Sequence, residues 1–168
     1  MKISLLLKIG CCMGLTSAAS LNTQAQSPAP AQKESRVTAH ATGPFEVKTT
    51  PQDDKSGATT LGRLLLDKQY HGDLDGTGKG QMLTAGLLAK GSAGYVAMEH
   101  VNGTLKGRAG SFTLQHSGTI SNGVQQLLII VVPGSGTGQL EGISGKMTIN
   151  IAGGMHSYDL EYALPKTD

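Results

Sequence analysis

The residues with reactive side chains stand in stretches where apolar and polar residues alternate. In "SFTLQHSGTI", His116 shares the period-two face of Phe112 and Leu114. An imidazole there is either packed and hydrogen-bonded in a core, or serves as a general base toward something opposite it. In "YVAMEHV", Glu99 shares its face with Tyr95, Ala97 and Val101. An inward carboxylate is costly unless paired, so Glu99 calls for a partner such as His116, or Arg108 in "KGRAG". Such a pair is structural glue, or an acid–base couple if its two members titrate apart. The last alternating run, "HSYDLEYAL", sets His156, Tyr158 and Tyr162 on one face. Their apolar bodies and polar tips suit the lining of a cavity whose ligand has one oxygen to bind. The candidate ligand-lining residues are therefore Tyr95, Glu99, Arg108, His116, His156 and Tyr158. The pattern designates no catalytic residue.

Other familiar chemistries find no support. "PGSGTGQLEG" is glycine-rich, but no helix-forming segment follows it and no lysine–serine/threonine pair closes it, so it is no phosphate loop. "DLDGTGKG" lacks a third early carboxylate and reaches Thr84 where a calcium loop needs glutamate. Both read as turns between strands. There is no Gly-x-Ser-x-Gly elbow to supply a hydrolytic serine. His71, after "KQY", lies by a turn and reads as solvated, and no two histidines have the close spacing of a metal pair. Neither a metal nor a cofactor is expected.

The elements that must position these residues begin after a leader. "MKISLLLKIGCCMGLTSAASLNTQAQ" has a lysine, an apolar stretch and a small, polar end, which is the pattern of a secretory signal peptide spanning residues 1–25. Export to the periplasm or beyond the cell follows, and both cysteines, Cys11 and Cys12, leave with the leader. The mature chain then holds no disulfide and no thiolate chemistry. Loss of Lys2 and Lys8 lowers Lys+Arg from 14 to 12, equal to the Asp+Glu count of 12. A balance near zero disfavours nucleic acid and acidic membranes as partners. Residues 26–35, "QSPAPAQKES", have the composition of a flexible linker, which leaves residues 36–168 as one domain.

Within that domain glycines interrupt almost every window before two helical turns are complete, while strand signals fill the same windows. "VTAHATGPFEVK" puts Val37, Ala39, Ala41, Phe45 and Val47 on one face, and "KMTINI" does the same with Met147, Ile149 and Ile151. Turn signals such as "GDLDGTG", "VNG", "SNG" and "AGG" separate the runs. The spacing predicts about eight strands, at 36–48, 60–70, 78–89, 94–102, 110–120, 124–133, 144–152 and 155–164. That many antiparallel strands joined by hairpins predict an all-β fold, a small closed barrel whose closure removes exposed edges, with a β-sandwich as the alternative. One strand, "VQQLLIIVV", is apolar on both sides from Leu127 to Val132, as if covered twice or met by another subunit.

Several longer blocks, "YHGDLDGTGKGQML", "AGYVAMEHV", "GTLKGRAGSFTLQHSGTI", "VVPGSGTGQLEGISGKM" and "HSYDLEYALP", resemble the bacterial DUF3224 family from about Ala39 to Pro165. The resemblance implies a barrel similar to allene oxide cyclase and related in shape to calycins. It implies no reaction, because the family is one of unknown function and carries no catalytic residues across. After "FEV", where many relatives have a tryptophan, this chain departs with Thr49-Thr50-Pro51.

Three functional expectations follow. The first is an exported protein that binds a small, mostly apolar ligand inside the barrel. The second is an isomerase- or cyclase-like enzyme on a lipid-like substrate, with Glu99 and His116 as acid–base groups. The third is an assembly protein whose copies meet through Leu127, Ile129 and Val131.

Overall fold

In the computed structural model the described residues are 37–53, 57, 61–87 and 91–166. The leader and linker expected at 1–25 and 26–35 lie outside them. The described residues form eight antiparallel strands in consecutive order, closed into a barrel by pairing of the last with the first. They are β1 (Val37–Gln52), β2 (Leu61–Tyr70), β3 (Leu74–Leu87), β4 (Ser92–Leu105), β5 (Arg108–Ser121), β6 (Val124–Val131), β7 (Ser144–Ala152) and β8 (Met155–Leu164). The ring closes through pairs running from Val37↔Leu164 to Phe45↔His156, which excludes the open sandwich.

Strand parity sets the interior. Odd positions face inward on β1, β4, β6 and β7 and even positions on β2, β3, β5 and β8, as the alternation of buried and exposed residues along each strand records. Several tight turns have the left-handed backbone that hairpins require: Lys106-Gly107 at φ 46° and 81°, Asn122-Gly123 at 51° and 80°, and Gly153-Gly154 at 58° and 81°.

Two expected turns proved to be strand. "GDLDGTG" was expected to separate strands, yet β3 starts at Leu74 and runs straight through Gly76, Gly78 and Gly80. "VNG" likewise lies within β4. These glycines are needed for closeness rather than for bending: a Cβ on Gly76 would overlap the backbone oxygen of Asn102 on the neighbouring strand. The first strand also runs on to Gln52, with Pro51 opposite Leu64.

One end of the barrel is sealed. Leu74, Leu105, Phe112 and Leu160 fill it, and the segment between β6 and β7 adds Leu140 and Ile143 from beneath. That segment contains "PGSGTG", which here binds along β5: Thr137 N–H donates to Ser111 O at 2.9 Å, and Thr113 N–H to Ser135 Oγ at 3.0 Å. Tyr158 completes the seal, its hydroxyl accepting the Leu74 N–H at 2.8 Å and donating to His71 O at 3.0 Å.

The wall is least continuous between β6 and β7, where Ile130↔Lys146 is the one register pair among the described residues. Of the doubly apolar strand, Ile129 and Val131 point inward and are buried, Leu127 is inward but exposed, and Leu128 is exposed outward. Of the three residues expected to meet another copy, Ile129 and Val131 are thus buried inside the barrel and Leu127 is exposed.

Candidate functional site

The chemistry gathers at mid-height inside the barrel, on three strands. On β2, "LLLDKQY" puts Leu64, Leu66, Lys68 and Tyr70 on the inward face. On β4 the inward set is Tyr95, Ala97, Glu99 and Val101, and on β5 it is Leu114, His116 and Gly118. Register fixes their heights: Lys68 is opposite Gly78, Gly80 opposite Glu99, and Ala97 opposite His116.

The strand between β2 and β4 explains how Lys68 meets Glu99. Its inward residues here are glycines, so β3 presents a bare floor across which the two long side chains reach one another. A Cβ on Gly78 would overlap Glu99 Oε1. The "GTGKG" run thus provides the space for a buried ion pair.

Glu99 is the centre of the cluster. Its Oε2 accepts from Lys68 Nζ at 2.7 Å and its Oε1 from the Tyr70 hydroxyl at 2.8 Å. Lys68 Nζ also donates to the Tyr70 hydroxyl at 3.2 Å and lies 5.1 Å from the centre of the Phe45 ring. Nε2 of His116 stands 3.0 Å from Glu99 Oε2 but off the line of a straight N–H···O bond, so this contact is a close approach rather than a well-formed hydrogen bond.

Burial alone would raise the Glu99 carboxyl, but contact with His116, the charge and hydrogen bond of Lys68, and the Tyr70 hydroxyl outweigh it and hold the group below the usual carboxylate range. Glu99 is therefore ionised at neutral pH. The Tyr70 phenol is pushed far up, first by burial and then by the Glu99 charge, so it stays a donor. Breaking such a buried pair by removing one partner typically costs about 3–5 kcal/mol.

Around this cluster the sequence-based candidates divide. Tyr95 lies one inward position from Ala97, half-buried, with its ring against Gly118, where a Cβ would overlap it. Burial, then the Glu99 charge, raises its phenol. His156 is half-buried with its ring 5.2 Å from that of Phe45. Glu99, His116, Tyr95 and His156 thus belong to one neighbourhood. Tyr158 places its hydroxyl at the sealed end with its ring edge-on to that of Tyr70 at 5.5 Å, and Arg108 is exposed at the β4–β5 turn, opposite Leu105. The carboxylate's cation is Lys68 rather than Arg108: arginine at the first position of β5 lies at the turn, three inward-facing positions before Leu114, the residue opposite Glu99.

Lys68 and Tyr70 are the residues that sequence reasoning missed. A signal for them existed in the parity of "LLLDKQY", which sets a lysine among Leu64, Leu66 and Tyr70. His71 is exposed and sits 2.9 Å from Glu46. Among the described residues no three His, Cys, Asp or Glu side chains form a group able to hold a metal.

A family model described as "Protein of unknown function (DUF3224)" matches residues 41–162. The chain is also similar to the crystal structure of a protein with unknown function from the DUF3224 family of Shewanella oneidensis MR-1. The two are 43% identical with a TM-score of 0.72, over 79% of this chain and 100% of that one. No curated protein matches the chain. With the family model spanning most of the barrel and a solved member sharing its fold, the chain belongs to the DUF3224 family.

Proposed function

We propose that this is an exported barrel that binds a small, mostly apolar ligand in the half of its interior opposite the sealed end. The observation that carries the reading is a gradient of burial along the inward faces. On β5, Phe112 and Leu114 are sealed off completely, His116 is nearly so, and Ile120 is half-exposed. On β2, Tyr70 is sealed, Lys68 and Leu66 are nearly so, and Leu64 is half-exposed. Inward apolar side chains that water still reaches, around a few convergent polar groups, are the usual make-up of a ligand pocket.

The enzymatic alternative asks Glu99 to trade protons with a substrate. An ionised carboxylate enclosed by Lys68, Tyr70 and His116 is poorly placed for that, which favours binding over acid–base turnover. Native mass spectrometry and thermal-shift measurements with apolar probes test the reading. Retained probe and a raised melting temperature are expected; an interior that takes up no apolar probe of any length overturns it.

A further inference from the structure

The boundary between the sealed and open halves passes through the charged cluster itself. Tyr70 and Glu99 are 0% exposed, whereas Lys68 is 5% and His116 3% exposed. Their inward neighbours on the open side, Leu66 and Ala97, likewise touch solvent at 7% and 4%. Glu99 is fully enclosed, while the Lys68 side chain beside it keeps a trace of exposure.

Lys68 has a donor to spare. Of its three N–H bonds, Glu99 Oε2 takes one and the Tyr70 hydroxyl a second, and the third has no oxygen partner among the described residues. His116 Nε2 faces Glu99 Oε2 at 3.0 Å and is itself closed off from solvent, so Lys68 Nζ is the donor left for a ligand. Tyr95, one inward position nearer the mouth, adds a phenol. An ammonium ligand would meet Lys68 with Glu99, the one carboxylate of the cluster among the described residues, already taken. An alkane would leave the spare donor unpaired on desolvation, which is unfavourable.

We infer that the ligand is an apolar molecule ending in an oxygen acceptor, a carboxylate or a ketone, received by Lys68 Nζ with Glu99 as the counter-ion that holds it. This rests on the binding reading above and adds the head group to it. Lys68 thereby becomes a specificity-determining residue rather than one half of a structural ion pair.

The test compares four probes of equal chain length on the purified protein at neutral pH: decanoate, 2-decanone, decylamine and decane, each titrated by calorimetry or competition. Decanoate and 2-decanone should bind at least about tenfold tighter than decylamine and decane, the factor that one hydrogen bond to a charged group supplies. The charge-balanced double variant Lys68→Met with Glu99→Gln should still bind but lose the preference. Equal affinities for all four probes in the wild type overturn this inference and leave the binding reading standing. So does a double variant that folds, by circular dichroism, and keeps the preference. If no probe binds at all, the binding reading fails and takes this inference with it.

Discussion

The two ends of the barrel are built from the same alternating strands yet differ in what stands beneath the inward side chains. At the sealed end, inward residues of neighbouring strands meet one another and the segment carrying Leu140 and Ile143, and Tyr158 ties the floor to the backbone of Leu74 and His71. At the other end the inward positions of β5, β6 and β7 become Ile120, Leu127, Ile149 and Ile151, half-exposed or exposed. Nothing in the alternation distinguishes the two halves, because period two says only which side is inward. What differs among the described residues is the segment between β6 and β7, which packs beneath one end only. The inward side chains of that half are buried and those of the other half partly exposed, with a charged layer where they meet.

The comparison is broken most severely by emptying the sealed end. Phe112→Ala should cost about 3–5 kcal/mol, as a fully buried aromatic truncation in a packed core does. Urea denaturation measures it, and a loss below about 1 kcal/mol would mean that this end is not the core. Next comes the layer between the halves. Lys68→Met strands the Glu99 carboxylate and should cost about 3 kcal/mol, whereas adding Glu99→Gln should recover most of the loss. A double variant no more stable than the single one would contradict the pairing.

A change of pH probes the same layer more gently. The Glu99 carboxyl is held below its ordinary value of 4.5 in the folded chain, so its stabilisation is fully present above that value and is lost as pH falls through the folded pKa. The urea midpoint of the wild type should therefore drop more steeply below pH 4.5 than that of the Lys68→Met, Glu99→Gln variant. Parallel curves would show that the cluster is not linked to folding. The smallest effect belongs to the open end, where Ile151 is 60% exposed and Ile151→Ala should change stability by no more than about 0.5 kcal/mol. A much larger change would mean that the rim is packed as tightly as the floor.

Much of this architecture was legible in the chain. Alternation placed His116 beside Phe112 and Leu114 and turned Glu99 inward, and turn residues at Asn122-Gly123 and Gly153-Gly154 marked hairpins that are present. Glycine proved ambiguous. A glycine that frees a turn and one that clears a strand floor look the same in sequence, so Gly76 and Gly78 were read as a break when they are a passage for Lys68 and Glu99. Arg108 was a reasonable partner for Glu99 by nearness along the chain, but nearness along the chain is a poor guide across a barrel.

The sequence by itself determined the strand count, the inward face of each strand and the need for Glu99 to find a partner, because these depend on local period and on the cost of an unpaired carboxylate. Only the tertiary structure decided which partner it found, and which half of the interior is closed. Both depend on register between strands distant in sequence: Lys68 and Glu99 lie 31 residues apart and meet only because β3 carries glycine between them.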